Sequence, residues 1–250
     1  MLSHLLTTDQ LDQVIVVLMG ARNPLNIGAA ARAMSNFGFS HLRIVNRYQL
    51  AFREARSAVG APELLRAARE CADVPEAIAD CSLVVGTTAG GSRRIEHPLY
   101  HLETGGKLIR SHASAGGCAA VLFGSEKRGL ANEDLSYCHW LVRIPTREQH
   151  ISMNLGQAVA VSLYELIRQD NAPARDAVVL SATGAELLRM EQALLAALQA
   201  NDYIKRGAEA ATEQKVRKLV RRMALSSEDA EAWTGMLAKM RPRARKTRHP

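Results

Sequence analysis

For its first two thirds the chain alternates short, fully apolar runs with helical patterning; after that the apolar runs stop. Val14-Ile15-Val16-Val17-Leu18-Met19 is continuous and rich in β-branched residues, which predicts a strand buried on both faces of a parallel sheet. Residues 42–45, 82–86, 119–123 and 141–144 repeat that signature. Helical patterns lie between them. One opens at Asn26, a candidate cap for Ile27 to Met34, and stops at Gly38. Residues 48–60 are polar and helical in part, 62–69 and 75–79 predict short helices, and 103–112 predicts a longer one. A further helix begins at Ser152, with Ser152 and Asn154 both candidate caps and Leu155-Gly156-Gln157-Ala158-Val159 continuing it. Strands alternating with helices through residue 168 predict an α/β fold with a parallel sheet.

Residues 168–179 (RQDNAPARDAVV) have the composition of a linker, and beyond them only helical patterns remain. Residues 185–200 are leucine-rich. In 212–223, Val216, Leu219 and Val220 share one face, with Lys215, Arg217, Lys218, Arg221 and Arg222 around it; Ser226 caps a helix over 228–240. These predict a small all-α bundle. The tail from Arg241 to Arg248 is basic and expected to be disordered. The expected organisation is 1–168, a linker over 169–180, and a helical extension with its tail over 181–250.

Charge sharpens this division. Residues 181–250 hold 14 Lys+Arg against 8 Asp+Glu, a net +6, whereas residues 1–180 hold 18 against 17, a net +1. A basic helical extension implies a polyanionic partner, most simply nucleic acid. No apolar run approaches the roughly 18 residues that span a membrane. The start, Met1-Leu2-Ser3-His4-Leu5-Leu6, lacks a basic segment followed by a long apolar one, so no signal peptide is expected. Cys71, Cys81, Cys118 and Cys138 form no CxxC pair, which argues against a zinc site or a disulfide framework and fits a reducing cytoplasm.

The candidate chemistry sits where strands end. In open α/β sheets small ligands bind at the carboxyl ends of the strands. The run Ala119 to Phe123 stops at Gly124, and the loop Gly124-Ser125-Glu126-Lys127-Arg128-Gly129 gathers polar groups that fold stability does not require. Leu141 to Ile144 is ended by Pro145. Thr87-Thr88-Ala89-Gly90-Gly91-Ser92-Arg93-Arg94 follows another strand and offers hydroxyls and two arginines. Arg32 stands alone within a helix of small residues, either as an arginine at the solvent edge or as one held on a rigid element to face the pocket at the strand ends. The loop after Met19 has no GxGxxG, which disfavours a dinucleotide site.

Three motifs occur in order: Asn26-x-Gly28-x-x-x-Arg32, Leu122-Phe123-Gly124-x-Glu126-x-x-Gly129-Leu130, and Ser152-Met153-Asn154-Leu155-Gly156-Gln157. Together they resemble the signature motifs of the SPOUT RNA ribose 2′-O-methyltransferases of the TrmH superfamily. Residues 190–195, 216–222 and 236–237 resemble the helical extension of the TrmJ-like branch. The resemblance implies a parallel sheet with a C-terminal trefoil knot, a homodimer, and an S-adenosylmethionine pocket lined by Thr87, Thr88, Ala89, Gly124, Ile144, Ile151, Ser152 and Met153. The family often has a hydroxyl where Ile151 stands and a leucine where Met153 stands. It further implies that Arg32 is catalytic and that Asn26, Glu126, Ser152 and Asn154 position it and the ribose, with no metal. The implied activity is methylation of the first anticodon-loop nucleotide of tRNA (nucleotide 32, cytidine or uridine). The expected RNA contacts are Arg22, Arg93, Arg94, Lys218, Arg221 and Arg222. Three alternatives stand beside this reading: the same chemistry on ribosomal RNA or another tRNA loop, a catalytically silent RNA-binding SPOUT protein, and a generic α/β binding module with a basic tail.

Overall fold

The computed structural model describes residues 6–45, 52–55, 63–90, 96–168 and 181–240. Expectations placed on the linker 169–180, the tail 241–250, residues 48–51 and 56–60, Arg93 and Arg94 lie outside the described residues. The strands are β1 (Val14–Met19), β2 (His41–Val45), β3 (Arg69–Cys71), β4 (Leu83–Thr87), β5 (Leu99–His101), β6 (Ala119–Phe123) and β7 (Trp140–Arg143). They form one sheet in the order β3-β2-β1-β6-β4-β7-β5, and every pairing is parallel.

The central strands are buried from end to end, and their side chains alternate between two cores. Val14, Val16 and Leu18 of β1 and Ala119, Val121 and Phe123 of β6 face one cluster; Ile15, Val17, Met19, Ala120 and Leu122 face the other. That period of two inside an unbroken apolar run is what a strand covered on both faces requires. The first cluster is roofed by α2 (Pro24–Phe37), α5 (Leu102–Ser114) and α7 (Leu155–Ile167). Helices α2 and α7 pack so closely that a Cβ on Gly156 would meet Ala29 Cβ at 2.6 Å. The second is covered by α4 (Val74–Ala77) and residues 130–141.

Several expectations are corrected. Helix α2 is capped by Asn23, whose Oδ1 accepts from Leu25 N–H at 2.9 Å, with Pro24 in its first turn; Asn26 lies inside the helix and its side chain is free for other use. Helix α7 starts at Leu155 and its cap is Asn154, not Ser152. Strands β3 and β5, at the two sheet edges, were not anticipated.

The C-terminal helices α8 (Gly184–Ala200), α9 (Glu209–Arg222) and α10 (Ser227–Lys239) enclose a third apolar cluster built on Leu187, Met190, Val216, Val220 and Leu237. They are clamped to the sheet layer at two places. The first turn of α8 docks through Gly184 N–H to Cys81 O at 2.7 Å and Ala185 N–H to Ala79 O at 3.0 Å. A Cβ on Gly184 would meet Ile78 O at 2.3 Å, so only glycine fits there. On α9, Arg217 donates to Glu191 Oε1 (3.0 Å), Glu213 Oε1 (2.6 Å) and Ser136 Oγ (3.0 Å), and its guanidinium lies 4.0 Å from the centre of the Tyr137 ring. The amphipathic reading of α9 holds for Val216 and Val220, which are buried, and fails for Leu219 and two arginines. Arg217 and Arg221 face inward, because buried Glu191 and Ser136 need a donor, while Leu219 is 46 % exposed.

Glu191 is buried, and desolvation pushes its carboxyl above the ordinary carboxylate range while Arg217 opposes that shift. Removing Arg217 alone leaves this acid without its main partner. Arg217→Ala should cost about 3–5 kcal/mol of stability in urea denaturation. The double variant Glu191→Leu/Arg217→Met should recover only part of that loss, because buried Arg221 then loses the attraction of Glu191; adding Arg221→Met should recover most of the rest.

Candidate active site

The carboxyl ends of β1, β6, β4 and β7 lie along one edge of the sheet. There the chain leaves a cavity of about 390 Å³, in the range of small-molecule pockets. Thr87, Thr88, Ala89, Gly124, Ile144, Ile151, Ser152 and Met153 all line it, so the eight expected cofactor positions come together. Its wall at β4 is held by Thr87 Oγ1 donating to Leu122 O (2.9 Å) and Thr88 N–H donating to Val142 O (2.9 Å). Thr146 Oγ1 donates to Ile151 O (3.3 Å) and closes the loop before α7. Apolar groups from Leu130, Val142, Leu155 and Ala158 supply a floor, and Lys127 and Arg128 stand at the rim. These six were legible only as strand, loop or helix residues; proximity across the strand ends makes them pocket residues.

Gly124 lines the cavity with its backbone. A Cβ there would meet Gly129 C at 1.9 Å and Leu130 N at 2.1 Å, so the missing side chain makes room for the chain's own backbone, not for a ligand. The turn it permits is closed by Gly129 N–H to Ser125 O at 2.8 Å, with Gly129 at φ 66°.

The polar centre is Glu126. Its carboxylate accepts from Arg22 N–H (3.3 Å), Asn23 N–H (3.3 Å) and Asn26 Nδ2 (3.0 Å). Asn26 Oδ1 in turn accepts from Asn154 Nδ2 (2.8 Å), and Asn154 Oδ1 accepts from the N–H groups of Gly156 (2.9 Å) and Gln157 (3.4 Å). The polarity of this chain is forced. A carboxylate only accepts and the helix-start N–H groups only donate, so both amides have one possible orientation. Burial works against the ionised carboxyl, but the donors from Asn26, its own N–H, Arg22 and Asn23 outweigh it and hold Glu126 below the usual carboxylate range.

The other expected residues are placed separately. Ser152 is exposed at the cavity rim. Arg32 is exposed on α2, one turn beyond Ala29 and its contact with Gly156; it does not line this chain's own cavity, and among the described residues it has no hydrogen-bond or ionic partner. Arg22 and Arg222 are exposed, and Lys218 pairs with Glu96 at 2.8 Å. Arg221 is 2 % exposed, so its assignment as an RNA contact is overturned: the guanidinium is enclosed beneath α9.

The family model for the SpoU rRNA Methylase family matches residues 13–164, which carry the sheet, the cavity and the Glu126 chain. The chain belongs to the SpoU methylase family. Among its relatives is the tRNA (cytidine/uridine-2′-O-)-methyltransferase TrmJ of Sodalis glossinidius, 33 % identical over 91 % of each chain. The tRNA (cytidine/uridine/adenosine-2′-O-)-methyltransferase TrmJ of Pseudomonas aeruginosa is 41 % identical, over 62 % of this chain and 61 % of its own length. The crystal structure of TrmJ from Z. mobilis superposes with a TM-score of 0.78 at 28 % identity, covering 91 % of this chain and 99 % of that one. The α/β architecture and the helices after residue 181 are thus both found in a solved relative of this SpoU methylase.

The Glu126 chain makes a pH-dependent prediction. A carboxyl held below its unfolded pKa adds stability above the unfolded value and loses it as pH falls through the folded value. Glu126→Gln should cost about 1 kcal/mol at neutral pH, a modest figure because the group is exposed to solvent. The gap from wild type should close on acidification below the ordinary carboxylate range, as followed by urea midpoints against pH.

Proposed function

We propose that this protein is an S-adenosylmethionine-dependent tRNA ribose 2′-O-methyltransferase acting on the first anticodon-loop nucleotide, nucleotide 32. The observation that carries the reading is the convergence of three motif segments on one site, with Glu126, Asn26 and Asn154 joined beside a cavity of small-molecule size. Relatives named as tRNA 2′-O-methyltransferases support the substrate, and the basic residues 181–250 support a polyanionic one. Residues 1–168 would form the methyltransferase domain, 169–180 a linker and 181–250 the extension that grips tRNA.

The cavity suits the proposed cofactor. Its apolar floor fits an adenine ring, and backbone groups at the strand ends can meet the ring's edge and the amino-acid end. Thr87 to Ala89, Ile144 and Ile151 to Met153 would hold it; once bound, it supplies a methyl group on a sulfonium centre. The chain must then align a ribose 2′-oxygen and stabilise it as its proton leaves. Arg32 carries no competing bond among the described residues and sits on a rigid helix. A guanidinium is a permanent donor and a poor base, so Arg32 serves as a fixed donor to the 2′-oxygen or the adjacent phosphate. Asn26 and Asn154 hold the start of α2 against α7 and so fix where Arg32 stands.

A homodimer belongs to the same proposal. Leu25 (80 % exposed) and Tyr164 (52 %) stand on α2 and α7, the helices flanking the site, and a second copy would cover them. The trefoil knot is supported by strand order. Strand β7, the last strand in the sequence, lies between β4 and β5, which both precede it in the chain. A cytoplasmic location follows from the substrate; among the described residues no helix is long and apolar enough to cross a membrane.

Arg32→Ala tests the reading. Single-turnover methyl transfer to tRNA should fall by about two to three orders of magnitude, the usual cost of one lost transition-state donor. Cofactor affinity by calorimetry should hold. Arg32→Lys should recover little, and the basic limb of its pH–rate profile should stay in place while the plateau falls. Near wild-type transfer by Arg32→Ala would return Arg32 to an ordinary surface arginine.

A further inference from the structure

At the opposite edge of the sheet from the cavity, the segments entering β4 and β6 bring two thiols together. Cys81 Sγ lies 3.2 Å from Cys118 Sγ. Cys81 is fully buried and Cys118 is partly exposed, so Cys118 is the more accessible residue of the two. Cys71 and Cys138 are buried, and among the described residues neither has a sulfur neighbour. The pair sits in a charged setting. Arg43 binds Asp80 through both carboxylate oxygens (2.5 and 2.7 Å), and Asp80 Oδ1 is 3.7 Å from Cys81 Sγ. Asp80, Cys81 and Cys118 are close enough together to offer ligands to a metal ion. The guanidinium argues against a cation there, because it already occupies both oxygens of Asp80 and adds a positive charge beside the thiols. The same positive charge favours a thiolate.

We propose that Cys81 and Cys118 are a thiol–disulfide exchange site, closing to an internal disulfide on meeting a small-molecule disulfide such as oxidised glutathione. The partly exposed Cys118, deprotonated, attacks one sulfur of the small disulfide; a mixed disulfide forms on Cys118 and one small thiolate leaves. Cys81 then gives its proton to solvent by way of Asp80 and attacks Cys118 Sγ. The internal S–S bond forms and the second small thiolate departs. Two protein thiols are oxidised and one small disulfide is reduced to two thiols. The hydrogen bond from the Cys81 thiol, helped by Arg43, lowers the Cys118 pKa against its burial, in keeping with its role as attacker. The bond would staple the entry of β4 to that of β6 where α8 is seated, since Cys81 O accepts the Gly184 N–H. The site is separate from the methyl-transfer reading and does not depend on it.

The test treats the native, full-length protein with oxidised glutathione and follows thiol titration, intact mass and peptide mapping. The four free thiols should fall to two, the mass should drop by about 2 Da, and digestion with trypsin plus a protease that cuts before aspartate, which separates Cys71 from Cys81, should give one species joining the Cys81 and Cys118 peptides. Cys81→Ser should trap glutathione on Cys118, and Cys118→Ser should leave Cys81 unmodified. The oxidised wild type should melt above the reduced form. Four persistent thiols, a mixed disulfide on Cys118 that never closes, a linkage between other cysteines, or an equal or lower melting temperature would each overturn the assignment. So would protection of both thiols by one equivalent of Zn²⁺, which would make the cluster a metal site.

Discussion

One carboxylate joins the parts of this protein that lie furthest apart in sequence. Glu126, at the end of β6, takes its donors from the loop and first turn of α2, and Asn26 passes the connection on to the cap of α7. Each partner is otherwise committed: Asn23 and Asn154 cap helices, and Asn26 has only its side chain to give. Losing Glu126 would leave two backbone N–H groups and one amide without their acceptor at the point where α2, β6 and α7 meet. The neighbouring cavity keeps its shape because the same turn, from Gly124 to Gly129, forms one of its walls.

The second constraint runs through the helices after residue 181. Arg217 binds Glu191 within the extension and Ser136 and the Tyr137 ring within the sheet layer. Residues 130–141 lead from the Glu126 turn to β7, so the helix carrying the basic residues rests on the segment that follows the site. Movement of α9 on a polyanion would be felt there first. Of the basic residues of α9, Arg222 faces solvent and Lys218 is held in an ion pair by Glu96, which divides grip from scaffold more finely than charge alone could.

What was legible in the sequence follows burial. Strands β1, β4 and β6 announce themselves because both faces are covered and every side chain is apolar or small. Strands β3 and β5 escape because they are three residues long, sit at the edges and expose most of their side chains. The cap of α2 was misplaced by three residues between two asparagines, although Pro24 was the available signal that Asn23 is the one outside the helix. On α9 the pattern places Val216 and Val220 correctly but misses Arg217 for a tertiary reason: buried Glu191 draws it inward, and no window along the helix contains Glu191. The cavity-lining residues came from motif resemblance, and periodicity alone placed them only at strand ends. The bond between Asn26 and Asn154, 128 residues apart, has no local signature at all.

The central claim is that the site beside Glu126 delivers a methyl group to one ribose oxygen of tRNA. The most direct measurement uses two synthetic tRNAs that differ by one atom, a 2′-hydroxyl or a 2′-hydrogen at nucleotide 32, with radiolabelled S-adenosylmethionine and the full-length protein. Label should enter the first and be absent from the second, while both bind with equal affinity. Equal labelling of the two would contradict the account, since methyl transfer would then be going to some other atom.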